Sequence, residues 1–123
     1  MAKPTDIRWL ESPEAHDYPA AASYLGLLYD PHTVANLVTK LKKARITTFK
    51  SKDIFRASGL SLLGVSNSHV RKDSARIAAQ KPLSPLLLVR DRENGRVVIA
   101  DGYHRLCAVY AVDEDAVIPC KIV

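Results

Sequence analysis

Apolar residues recur along this chain with two different periods, and the places where the period changes mark its elements. Asp6-Ile7-Arg8-Trp9-Leu10 alternates polar and apolar positions as a short strand or extended arm does, and Ser12-Pro13 breaks it. From Tyr18 to Tyr29 the spacing is helical, with Ala21, Tyr24, Leu25 and Leu28 at i, i+3, i+4 and i+7. Asp30 and Pro31 then supply an N-cap and a first-turn proline, and Val34, Leu37, Val38 and Leu41 repeat the spacing behind them. Two helices with one apolar stripe each predict an antiparallel hairpin that covers one face of a sheet.

Beyond the hairpin the pattern turns to strands. Ile46-Thr47-Thr48-Phe49 is β-branched and aromatic. Lys50-Ser51-Lys52-Asp53 turns this strand or continues it at an edge, and Ile54-Phe55 before Arg56-Ala57-Ser58-Gly59 reads as a strand end opening into a loop. Leu60 to Val65 fits a short helix or a packed loop. Ser66, Asn67 and Ser68 are cap candidates for a helix through about Gln80, with Val70, Ile77 and Ala78 facing inward, and Pro82 and Pro85 end it. The unbroken apolar run Pro85 to Val89 predicts a strand buried on both faces. Asn94-Gly95 turns the chain, Arg96 to Ala100 returns antiparallel, and a helix follows Gly102. Val117 to Val123 is a last strand, in which Pro119 argues for an edge or a strand start.

Composition narrows the class. A chain of 123 residues with 47% hydrophobic and 25% charged positions is expected to form one domain over residues 1–123, with the arm and hairpin of 1–44 packed on it. No stretch approaches a membrane span and the first ten residues hold no apolar run, so a cytoplasmic location with no membrane partner is expected. Cys107 and Cys120 lack both disulfide-framework and metal-ligand spacing and read as buried thiols. The net charge of +5 suits an anionic partner, yet its lysines and arginines are dispersed rather than run together, which disfavours nucleic acid.

Candidate chemistry gathers where the strand ending at Ala100 meets the helix after Gly102. A helix start leaves its first N–H groups without intrahelical partners, and they point at whatever lies in front of them. Gly102 permits positive φ or close approach to a ligand, and His104 and Arg105 add side-chain donors. Asp101 is either the helix N-cap or a carboxylate facing the same space. Ser68, His69 and Lys72, near another helix start, form a second anion-binding set on the same physics or belong to a capped surface helix. Glu14, His16 and Asp17 stand close together, but Glu14 and His16 at i, i+2 point to different sides of a helix. No metal site is expected there, and Asp17 reads as a helix cap.

Pro85-Leu86-Leu87-Leu88-Val89, a polar turn, Val97 to Ala108 with its Asp101-Gly102-Tyr103-His104-Arg105 core, and Ile118-Pro119-Cys120-Lys121-Ile122-Val123 together resemble the ParB/sulfiredoxin superfamily. The match spans the last forty residues or so and, more loosely, the helix after Ser66. The resemblance implies an α+β fold, a ParB/sulfiredoxin-like mixed sheet with the N-terminal helical hairpin added. It implies too that Gly102, His104 and Arg105 hold nucleotide phosphates: ATP in sulfiredoxins, CTP in ParB partition proteins, a phosphoryl donor in a free-serine kinase of the group. Asp101 matches the acidic residue that many members place before the glycine, and Arg56 loosely matches a nucleotide-contacting arginine.

Two departures bear on activity. Sulfiredoxins carry their nucleophilic cysteine immediately before the His-Arg pair, where this chain has Tyr103, so sulfiredoxin activity is not expected. The residues end at Val123 after the last strand, so neither the helix-turn-helix module of ParB clamps nor a complete partition protein is expected. What remains is a small nucleotide-phosphate-binding domain, an ATP- or CTP-dependent phosphotransferase or hydrolase, with Asp101 and His104 as the catalytic candidates. Asp101 would organise Mg²⁺ or orient substrate. The alternatives are a nucleic-acid-binding or nuclease-like module, and a non-catalytic interaction domain.

Overall fold

The computed structural model describes residues 6–64 and 67–123. Its centre is a mixed sheet of β1 (Thr47–Lys50), β2 (Leu86–Asp91), β3 (Arg96–Asp101) and β4 (Val117–Ile122), in the order β1-β4-β2-β3. The β2–β3 pair is the expected antiparallel hairpin, and Gly95 at φ +62° makes its turn. The β2 strand runs parallel to β4, and β4 antiparallel to β1. Leu86 and Leu88 of β2 enter one core, while Leu87 and Val89 enter the other. The apolar run is therefore buried on both faces, as its lack of alternation requires.

On one face lie α1 (Asp17–Leu25) and α2 (Pro31–Lys43), whose Ala21, Leu25, Val34 and Leu41 pack with Leu87, Val89, Val98 and Ala100. The helical hairpin thus covers the sheet as its stripes predict. The Asp30 carboxylate accepts a hydrogen bond from the Thr33 amide at 2.9 Å, and Pro31 occupies the first turn. The other core gathers Ile54 of α3 (Ser51–Ser58), Val70 and Ile77 of α4 (Ser68–Ala78), and Leu106 to Val109 of α5 (Tyr103–Val112). Residues 6–10 form an extended arm: Leu83 donates to the Arg8 carbonyl and Leu10 to the Leu83 carbonyl, both at 2.8 Å.

Several expectations fail for identifiable reasons. Residues 51–58, read as a turn and a strand end, are α3, because Ser51, Ile54 and Ser58 fall on one buried helical face. The Ser51 and Lys52 amides donate to the Ala116 and Glu114 carbonyls, and Gly59 at φ +67° ends the helix. Tertiary burial here overrides the strand preference of Ile54-Phe55. Strand β4 is interior rather than an edge, with Pro119 at its third position. Its pairing with β2 begins only at Cys120, so β4 has no β2 partner at Pro119 and the missing N–H is tolerated. Helix α1 stops at Leu25 instead of reaching Tyr29, Tyr24 and Leu28 of its expected stripe are each 42% exposed, and Ala78 faces solvent instead of the core. Residues 60–64 have no regular structure. Val65 and Ser66, the latter a cap candidate, lie outside the described residues, and it is the Asn67 side chain that caps α4.

Candidate functional site

Strand β3 carries a bulge where it reaches the site: Leu88 faces Ile99 but Leu87 faces Asp101, so Ala100 is an extra residue. Such an insertion bends the strand and re-aims the residues beyond it. Two positions past the bulge stands Gly102, at φ +108°, serving as the N-cap residue of α5 and accepting from the Leu106 amide at 2.9 Å. Any larger residue is strained and crowded at this position. A Cβ there would lie 2.7 Å from Leu86 Cγ and 2.9 Å from Arg105 Nη2. No side chain caps α5, so the amides of its first turn keep the open positions that helix geometry gives them.

In front of this turn lies a pocket of about 570 Å³. The expected residues Asp101, Gly102, His104 and Arg105 line it, and so do His69 and Lys72. The amides at the start of α4 do not serve as donors to it, because the Asn67 side chain accepts from His69 N at 3.0 Å and Val70 N at 3.3 Å. Helix α4 contributes through side chains instead: His69, Lys72, Asp73 and Arg76, at i, i+3, i+4 and i+7, all face the pocket, while Val70 and Ile77 are buried in the core. Ser68 begins this helix but is not among the lining residues.

Arg56 does not join the cradle. It sits on α3 with an 88% exposed side chain, 3.8 Å from Asp53, beside a separate groove lined by Phe55, Leu60 and Tyr110. The strand end expected to carry it is helix α3.

Asp101 does not cap α5. Its Oδ2 takes a hydrogen bond from Arg105 Nη2 at 2.9 Å, one turn on, and the same nitrogen reaches the Pro85 carbonyl at 3.3 Å. Arg105 therefore braces the turn, with only 16% of its side chain exposed, while its Nε is buried without a hydrogen-bond partner. Burial raises the pKa of Asp101, Arg105 opposes this, and the Asp17 carboxyl beside it pushes it further up.

That neighbour belongs to a wall the sequence did not reveal. Asp17, only 2% exposed, accepts from the Glu14 amide at 2.9 Å and from the Ser84 hydroxyl, so it ties the start of α1 to the segment before β2 rather than capping α1. His16 stands between Glu14 and Asp17, its ring nitrogens 3.3 and 3.4 Å from their carboxylates. Among the described residues no three His, Cys, Asp or Glu side chains are grouped to hold a metal ion.

On the opposite wall the His69 and His104 rings meet, with centroids 4.8 Å apart and planes 40° apart. Burial holds His104 below its usual pKa, and His69 lowers it further against the pull of Asp73. Asp73 itself is pushed up by burial, with Arg105, Arg76, His104 and His69 opposing. The pocket is thus two-sided. Glu14 and Asp17 stand at the start of α1, His69, Lys72, Asp73, Arg76, His104 and Arg105 stand on α4 and α5, and Asp101 touches both sets through Asp17 and Arg105.

Compared with known protein families, curated proteins and solved structures, the chain matches none. The chemistry therefore has to be read from the site. Tyr103 donates its hydroxyl to the Ser61 carbonyl and does not line the pocket. Burial raises the Cys107 thiol and pushes Cys120 up to about 12, so neither offers a thiolate. No helix among the described residues is long and apolar enough to cross a membrane.

Proposed function

We propose that the pocket between the start of α1, α4 and α5 binds a phosphate-bearing ligand, and that this ligand is a nucleotide such as ATP or CTP. One observation carries the reading. The uncapped start of α5 and the basic side chains of α4 converge on one pocket, and their two imidazoles are in contact at its wall. Backbone amides at a helix start, a lysine and guanidinium groups are the donors that suit phosphate oxygens. The buried Nε of Arg105 adds a donor with no protein acceptor. A ParB/sulfiredoxin-like fold is the architecture this reading goes with, supported by the strand, glycine turn and helix at residues 96–112 and by the closing strand β4.

The acidic side of the pocket has a matching use. Glu14 and Asp17, with His16 between them, are acceptors for sugar hydroxyls or for the cation that accompanies phosphates. Glu14 or Asp17 would supply at most one or two carboxylates to a Mg²⁺ ion, whose remaining ligands would be phosphate oxygens and water. In a phosphotransferase or hydrolase of this kind Asp101 positions Arg105. Asp73, which faces the basic wall, is then the carboxylate placed to take a proton from a hydroxyl or water. Titration calorimetry with ATP, ADP and CTP, with and without Mg²⁺, tests the proposal. Binding that weakens at least tenfold in Arg105→Ala is expected; no binding, or binding unchanged by that substitution, overturns it.

A further inference from the structure

The contact between His69 and His104 raises a question that phosphate binding alone does not answer, namely in which charge state the two rings meet. They are the second residues of α4 and α5, helices joined in sequence only through β2 and β3, and they stand 4.8 Å apart between centroids. At that separation two imidazolium ions repel strongly, and the same wall already carries Lys72, Arg76 and Arg105. Two carboxylates reach this wall among the described residues, Asp73 and Asp101, and Asp101 is engaged by Arg105; Glu14 and Asp17 flank His16 elsewhere in the lining. Without an anion the wall therefore disfavours charging both rings near pH 7. A phosphate oxygen seated against them reverses the balance, because it offers both rings an acceptor and supplies the negative charge that makes an imidazolium favourable.

We propose that His69 and His104 form a proton-linked clasp, which takes up a proton from solvent as a phosphate group seats against it. The inference rests on the phosphate-binding reading and adds a pH control to it. The sign follows from linkage. A ring that is neutral in the free protein and charged in the complex favours binding fully below its free-state pKa. That advantage is lost as the pH rises through the higher pKa of the complex. Between those two values the affinity falls by about tenfold per pH unit for each linked proton.

Sulfate is the probe of choice because, unlike phosphate, it does not itself titrate near neutrality. Calorimetry at about pH 7 in two buffers of different ionisation enthalpy counts the protons taken up, with up to about one per sulfate expected. The NMR midpoint of the His104 ring should move upward when sulfate is added, a readout that needs no variant. His69→Gln and His104→Gln should each reduce the uptake while leaving measurable sulfate binding through Lys72 and Arg76. Sulfate binding with no buffer dependence, with no upward move of the His104 midpoint in the parent, or with uptake unchanged in both variants, overturns the clasp and leaves the phosphate site standing. Failure of sulfate, ATP and CTP to bind anywhere between about pH 5.5 and 8 overturns both.

Discussion

Gly102→Ala isolates the link between backbone geometry and the site. The glycine holds φ +108°, where an L side chain costs about 1–2 kcal/mol. The new methyl would also lie 2.7 Å from Cγ of the fully buried Leu86, so either that side chain or the start of α5 has to shift. Overpacking of this sort costs about 1–3 kcal/mol. Together these give a loss of about 2–5 kcal/mol, against roughly 6–18 kcal/mol for a chain of 123 residues. The variant should fold, with its thermal midpoint lowered by about 8–20 °C at roughly 4 °C per kcal/mol. Gly95→Ala is the control: its φ is +62°, nothing lies within 4 Å of the added Cβ, and the expected loss is only about 1 kcal/mol. Circular dichroism melts of the three proteins make the comparison. If Gly102→Ala melts within about 2 °C of Gly95→Ala, the close approach of β2 to the turn is not what requires glycine.

Four further outcomes are expected. Ser84→Ala takes a hydroxyl donor from the buried Asp17 and should cost about 1–3 kcal/mol in urea denaturation; no measurable loss would mean the start of α1 is not fastened there. Arg105→Met strands the Asp101 carboxylate and should cost about 3 kcal/mol at neutral pH. The loss should shrink as acid protonates Asp101, so a pH-independent loss speaks against the ion pair. Asp73 has its folded pKa raised by burial, so it subtracts stability as the pH climbs from its ordinary value through the folded one. Asp73→Asn should therefore melt higher than the parent at neutral pH and no differently near pH 3, a pattern read from melts at about those two values. Iodoacetamide should label Cys107 and Cys120 only on unfolding, since both are buried with raised pKa values; rapid native labelling of either would contradict their placement.

The parts of the molecule legible in the sequence are those whose burial is periodic along a single segment. The hairpin stripes of Val34 and Leu41, the unbroken run Leu86 to Val89 and the Asn94-Gly95 turn each carry their signal within a dozen residues, and each forms as read. The same holds for Gly102, where a strand, a glycine and a helix stand next to one another. Residues 51–58 misled because Ile54 and Phe55 favour strands by type. Their helical evidence, Ser51 and Ser58 flanking Ile54 on one buried face, is carried by residues ordinarily read as polar.

The site divides along the same line. Its basic half was within reach: His69, Lys72, Asp73 and Arg76 make a polar stripe at helical spacing opposite Val70 and Ile77, as informative about a pocket as an apolar stripe is about a core. Its acidic half was not, because Asp17 meets Ser84 and Asp101 across separations of 67 and 84 residues, and no local pattern records such contacts. The segment that leads to this wall is held in turn by long-range pairing, the amides and carbonyls of Arg8 and Leu10 with those of Leu83, which lies more than 70 residues away. The pocket is therefore built from unlike pieces: a turn fixed by the packing of Gly102 on Leu86, a helix face, and a segment held by hydrogen bonds to a buried carboxylate. Losing the Ser84 hydroxyl should loosen the acidic wall while leaving the basic one in place, so the two halves are separable by substitution even though one ligand would span both.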